Sequence, residues 1–393
     1  MLSCSRFAHQ GALLVMSLML LTGLLTAEPN TLSTQEIEDG WILLFDGSSL
    51  FGWEAVTDVD WAVSEGAVVA TRGPRGLLRT LAEFGDYRLK AEFKAQKGTN
   101  SGVFLNTIPQ CEKPGPGGGC YELNIAPLDN PFPTGSLVQR KRYEGDRESD
   151  TWRSFDVTVQ KGEVQVMLDG KAVLSYTDLE PLTRGSIGLQ FNEGRIEFRN
   201  VKLQPLGLEP IFNGKDLKGW EVYPGKNSIF SVTEAGELSV INGPGQIESQ
   251  EGYDDFVLQL KVKCNGKHLN SGIFFRSIPG EFWQGYESQI HNGFKEGDRS
   301  LPMDYGTGGI YRRQPARLVV ANDFTWFSKT IIASGSHMST WVNGYPVSSW
   351  TDTRAPNANP RNGLRTEPGT IIIQGHDPTT DLLFSSIRVA EIR

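Results

Sequence analysis

Three short segments of this chain hold side chains suited to sugar chemistry. In an extended strand, residues of one parity share a face. In Asn270-Ser271-Gly272-Ile273-Phe274-Phe275-Arg276, parity places Asn270, Gly272, Phe274 and Arg276 together. In Tyr286-Glu287-Ser288-Gln289-Ile290-His291 it groups Glu287, Gln289 and His291. In Ile371-Ile372-Ile373-Gln374-Gly375-His376 it groups Gln374 and His376. Side by side, these strands would gather carboxylate, amide, imidazole and guanidinium groups over an aromatic floor. Carboxylates and amides bond sugar hydroxyls, and rings cover C–H surface. Outer faces of antiparallel sheets are polar as a rule, so a single Glu or His there is ordinarily just solvated. The convergence of three segments is what singles this group out.

The elements that must position these residues are short strands, and the chain contains them twice. Gly52-Trp53, Asn100-Ser101-Gly102-Val103-Phe104, Tyr121-Glu122 and Trp152 are answered by Gly219-Trp220, Asn270-Ser271-Gly272-Ile273-Phe274, Tyr286-Glu287 and Trp326. The offset of about 165–185 residues far exceeds a solenoid unit and suits a duplicated domain. Apolar and charged residues alternate along Tyr87–Lys94 and again at Phe256, Leu258, Leu260 and Val262, with Gln259, Lys261 and Lys263 expected to face outward. Lys161-Gly162, Asp169-Gly170 and Asn343-Gly344 supply hairpin turns. No long stretch has helical spacing. The fold class expected is all-β, two tandem jelly-roll β-sandwiches spanning 28–206 and 207–393, joined by a short segment from Pro205 to Pro210 that leaves little freedom to swing.

The first copy keeps Asn100, Phe104, Glu122, Asn124 and Gln190, but Asn106 stands for Arg276, Ala126 for His291 and Asn192 for His376. Acid–base or metal chemistry is therefore expected in the second copy, and binding or scaffolding from a degenerate site in the first.

Residues 1–27 read as a signal peptide. Arg6 and His9 precede an apolar run from Ala12 to Leu25, shorter than the ~20 residues of a membrane helix, and Leu25-Thr26-Ala27 suits cleavage. The mature protein is expected to be periplasmic or extracellular, without an integral span. In that setting Cys111 and Cys120 could close the Gly/Pro-rich loop between them, while Cys264 reads as a small buried hydrophobe. The net charge of −8 and the lack of a basic run argue against nucleic acid or an anionic membrane surface as partner. An oligosaccharide or glycoside is the partner expected; the oligomeric state is left open.

Phe45-Asp46-Gly47-Ser48-Ser49-Leu50-Phe51-Gly52-Trp53 and Phe212-Asn213-Gly214-Lys215-Asp216-Leu217-Lys218-Gly219-Trp220 resemble the opening signature of the 3-keto-disaccharide hydrolase family. The 270–276 and 286–290 segments, Gly308-Gly309-Ile310-Tyr311, Trp341-Val342-Asn343-Gly344 and Gln374–His376 resemble its central motifs. The resemblance implies a concanavalin A-like jelly roll and cleavage of 3-keto-glycosides by hydrolysis or elimination. A C3 ketone acidifies the C2 proton, so a base can form an enediolate that expels the C1 substituent. His291 or Glu287 is the base in this reading, and Arg276 or a divalent metal ion steadies the enediolate. Glu287, His291 and His376 form the candidate metal set. Asn270, Phe274, Gln289, Tyr311, Gln374, Asn100, Glu122 and Asn124 are the expected substrate contacts. The alternative is a non-catalytic tandem carbohydrate-binding protein. An ordinary glycosidase needs two carboxylates ~5–9.5 Å apart, and the Glu-x-Asp-x-(x)-Glu run that supplies them on jelly-roll glucanases is missing. Trp283 and Trp350 suit either sugar platforms or core positions.

Overall fold

The computed structural model describes Met1 and residues 28–109, 111, 114–145 and 149–393. Apart from Met1, the expected signal segment lies outside the described residues.

Each copy folds as two antiparallel sheets face to face. In the first, an eight-stranded sheet is built around Tyr87–Ala95, Ile196–Pro205 and Arg153–Gln160. The second sheet has five strands in the order Trp53–Ala55, Gly76–Thr80, Ser186–Glu193, Asn100–Thr107, Tyr121–Ile125. The second copy repeats this with an eight-stranded sheet around Phe256–Cys264, Asp381–Glu391 and Trp326–Ser334. Its five-stranded sheet runs Trp220–Val222, Gly245–Tyr253, Gly369–Gly375, Ser271–Ser277, Tyr286–Ile290. These are two jelly-roll sandwiches, whose layers bury alternate residues between them. Among the described residues no helix is long and apolar enough to cross a membrane.

Local chemistry explains the turns. Asp169 and Gly170 have φ of 49° and 75°, and Asn343 and Gly344 have φ of 48° and 71°. A type I′ turn requires positive φ at both central positions. Cys111 and Cys120 are joined by a disulfide, and Cys264 is buried.

The outward assignment of Gln259 is corrected by the contact between the copies. Gln259 is buried and its amide donates to Gly40 O at 2.8 Å, because the first copy's amino-terminal segment lies across this strand. Lys261 pairs with Glu38 there. Trp341 reaches across to donate its indole N–H to Leu43 O at 2.8 Å, and Val257, Ile332, Trp341 and Ile392 join the first copy's core. Arg317 bonds Asp46 at 2.5 Å, and Arg184 bonds Asp255 at 2.7 Å. Apolar burial and paired charges hold the sandwiches together, as the short joint implies.

Candidate functional site

The registers bring three of the chemistry-bearing segments onto one face. Phe274 pairs with Glu287, Gly272 with Gln289, and Phe274 also with Ile372 on the strand that ends in Gln374 and Gly375. Gln374 pairs in turn with Gln246. Tyr286, Ile290, Ile273 and Phe275 turn the other way into the core. Parity therefore places Phe274, Glu287, Gln289 and Gln374 as read from the sequence, and adds Gln246. Gly272 leaves room for the Glu287 carboxylate: a Cβ would lie 2.6 Å from Glu287 Oε1 and push it aside.

Glu287 is the centre of this face. It is 5% exposed, and burial raises its pKa above the usual carboxylate value, against the opposing pull of Arg361 and His376. Arg361 Nη2 donates to Glu287 Oε2 at 3.0 Å, and its guanidinium stands 4.9 Å from the Phe274 ring and 5.9 Å from the Tyr311 ring. On the other side, His376 stacks on Trp283 with ring centres 5.9 Å apart and planes 2° apart. Asp377 Oδ2 lies 2.9 Å from His376 Nδ1. A carboxylate on Nδ1 fixes the proton there and leaves Nε2 to exchange one. Trp283 is held by its backbone N–H donating to Gln246 Oε1 at 2.8 Å, so it belongs to the site rim. Trp350 instead packs edge-on against Tyr286 at the core's margin.

A second group continues along the same strand. Gln289 Nε2 donates to Asp304 Oδ2 at 2.7 Å, and Asn270 Nδ2 donates to the same oxygen at 2.7 Å. Asp304 and Tyr305 have φ of 43° and 67°, a backbone held in a sparsely populated region beside the site. Tyr305 meets Tyr311 edge-on at 5.2 Å. His291 follows at the strand's end, 8% exposed, with its Nδ1 accepting from Gly293 N–H at 3.2 Å. Burial lowers its pKa, opposed by Asp304. A neutral ring accepting at Nδ1 carries its proton on Nε2 and so presents a donor. Beneath the strand, buried Lys329 donates to Ser288 O at 2.7 Å and Gln289 O at 2.9 Å; burial lowers its pKa to about 7.

Arg276 does not join the cluster. Its strand bulges between Phe274 and Ser277, Arg276 has φ of 46°, and the side chain turns away to full burial. There it donates to Asp254 O, Gly335 O, Arg365 O and Asp255 Oδ1. A bulge inserts one residue and reverses parity beyond it. Asn106, its counterpart, has φ of 48°, so the break is built into both copies. The donor set Glu287, His291 and His376 also fails to converge. Among the described residues no three His, Cys, Asp or Glu side chains are grouped to hold a metal ion. These side chains do not fit a shared ion. Arg361, Asp304 and Asp377 were missed: the first two lie in long Pro/Gly/Asn-rich connections without periodicity, and only Asp377 had a visible signal, its place beside His376.

In the first copy, Glu122 is 5% exposed and accepts from Gln190 Nε2 at 2.9 Å, with Arg75 at 3.7 Å. Burial raises its pKa while Arg75 and Gln190 oppose. Asn124 is turned to the loop, donating to Phe132 O. Asn100 pairs with Glu193 at the strand's start.

Two stretches of the chain, 40–204 and 207–390, each match the 3-keto-α-glucoside-1,2-lyase-like domain family. The chain belongs to this family. It is the family the opening motifs resemble, present twice in this chain, and the protein is carbohydrate-active. Solved structures are similar to part of the chain. One from Parabacteroides distasonis ATCC 8503, provisionally described as a glycosyl hydrolase, is 22% identical, with 46% of this chain and 100% of that one covered and a TM-score of 0.40. The carbohydrate-binding module CBM66 from Bacillus subtilis is 14% identical, with 38% and 94% covered and a TM-score of 0.31. No curated protein matches the chain.

Proposed function

We propose that the second lyase-like domain cleaves 3-keto-glycosides by elimination across C1 and C2. The observation that carries this reading is the buried carboxylate of Glu287, its pKa raised, set between a guanidinium and an Asp-oriented imidazole. A base with a raised pKa is better matched to removing a weakly acidic C–H proton near neutral pH. Glu287 takes the C2 proton, and the C–H electron pair moves toward C3 as its carbonyl oxygen becomes an enolate. Arg361 supplies the fixed positive charge that steadies this oxygen. Collapse of the enolate forms the C1–C2 double bond and expels the C1 oxygen, which takes a proton from His376 Nε2. Addition of water across that double bond gives the hydrolysis product, so both outcomes share one intermediate. Gln289, Asn270 and Asp304 hold hydroxyls, His291 donates from Nε2, and Gln374 offers its carbonyl oxygen, which has no hydrogen-bond partner in the protein.

Export is also proposed, supported by the amino-terminal pattern and the Cys111–Cys120 disulfide. The test is aglycone release from a chromogenic 3-keto-glucoside beside the unoxidised glucoside. Turnover of the keto sugar alone, lost in Glu287→Gln, is expected. Equal turnover by that variant removes Glu287 from the mechanism.

A further inference from the structure

We propose that the first domain holds its own pocket for a neutral sugar, separate from the second domain's site. This rests on the carbohydrate reading of the family but not on catalysis. The sequence marks this copy as degenerate, because the positions of Arg276, His291 and His376 are altered. The structure shows that Arg276 was never part of the second site. The elements the two faces share are therefore a buried Glu, a Gln, a Phe and an Arg, and the first copy has all four.

Its arginine comes from elsewhere. Arg75 enters from the turn before Gly76–Thr80, whereas Arg361 enters from the connection before Gly369–Gly375. Bringing the cation in from a different loop leaves a hollow of about 410 Å³, lined by Arg75, Leu77, Phe104, Cys111 and Gln190. Pockets for small ligands typically begin near ~300 Å³. Leu77 pairs with Gln190 where the second domain pairs Gln246 with Gln374, so an apolar side chain stands here in place of an amide. The Cys111–Cys120 disulfide ties the far wall to the sheet, with Cys120 packed on Leu77 and Phe104.

The decisive feature is Gln190. It is 1% exposed, its Nε2 is committed to Glu122, and its Oε1 has no partner. A buried amide oxygen left unpaired is costly, so its persistence at a pocket wall points to a ligand that donates a hydrogen bond. The buried carboxylate behind it disfavours an anion. A hydroxyl-bearing ring with an apolar face satisfies Gln190, Arg75 and the Leu77–Phe104 floor together.

The test is calorimetric titration of the full chain carrying Glu287→Gln, with methyl α-glucoside and its 3-keto derivative. Saturable binding of one or both is expected, weakened about tenfold or more by adding Gln190→Leu, as expected when a site loses an acceptor built for a hydroxyl. Arg75→Ala, at a half-exposed position, provides a variant with little risk to folding and should weaken binding several-fold. A single cooperative melting transition well above the titration temperature shows that each protein is folded. No binding, or binding indifferent to both substitutions, overturns the proposal. Turnover by the unsubstituted protein without Gln190-dependent binding leaves the second-domain reading standing and sinks this one. Gln190-dependent binding without turnover does the reverse.

Discussion

Arg361 takes the place beside Glu287 that sequence parity suggests for Arg276, and substituting each in turn separates stability from chemistry. Arg276→Met keeps volume but removes the charge that faces Asp255 at 2.6 Å and the donors to three carbonyls. Breaking a buried ion pair costs about 3–5 kcal/mol. Asp255 retains Arg184 at 2.7 Å and the Gly335 N–H at 2.8 Å, which places the cost near the lower end, about 3 kcal/mol. At roughly 2–4 °C per kcal/mol for a domain of this size, the melting temperature falls by about 6–12 °C. Arg361 is one quarter exposed, and Glu287 can take up a proton when its partner is lost, so Arg361→Ala costs less stability than Arg276→Met. It removes the cation facing the developing enolate, a loss of about 10²-fold or more in kcat. Differential scanning calorimetry and turnover of a 3-keto-glucoside on the same preparations read both effects. A stable Arg276→Met protein without activity, beside a fully active Arg361→Ala protein, would refute the assignment.

Glu287→Gln is expected to abolish turnover and raise the melting temperature at pH 7. The folded pKa of Glu287 lies above its unfolded value, so the folded state favours the proton, and the charged form opposes folding increasingly as pH rises past 4.5. Calorimetry across pH 4–8 checks the sign, and a destabilised variant at pH 7 contradicts it. His337 sits at the contact between the domains, bonded to Thr351 and Ser339, with its pKa lowered to about 4 by burial and by Arg79 of the first copy. The unfolded chain binds that proton first, so stability present above pH 6.5 declines by about 3 kcal/mol as pH falls toward 4. His337→Gln should flatten that part of the stability–pH curve; an unchanged slope removes His337 as its origin. Asp377→Asn, which weakens the anchor of His376, should slow turnover of substrates with poor leaving groups more than those with good ones. A uniform effect across leaving groups argues against His376 as the acid.

Much of this architecture was legible from pleat and turn chemistry. Phe274, Glu287, Gln289 and Gln374 share a face because their strands are regular, and Asp169-Gly170 and Asn343-Gly344 turn as their dihedral preferences require. Parity failed at Arg276, because a bulge leaves no mark in a run of otherwise good strand residues. It failed at Gln259 because a second domain covers a face that alternation assigns to solvent. Arg361, Asp304 and Arg75 come from connections whose path is set by tertiary contacts, such as Arg361 Nε on Trp283 O at 3.2 Å. The first copy's pocket was hidden for the same reason: an arginine from one loop stands in for an arginine from another.

The most direct measurement is single-turnover analysis of a chromogenic 3-keto-glucoside deuterated at C2, beside its unoxidised parent. Aglycone release from the keto sugar alone, slowed by a primary isotope effect and lost in Glu287→Gln, is the result expected of C2 proton abstraction. Release from both sugars, or release from the keto sugar that survives Glu287→Gln, contradicts it.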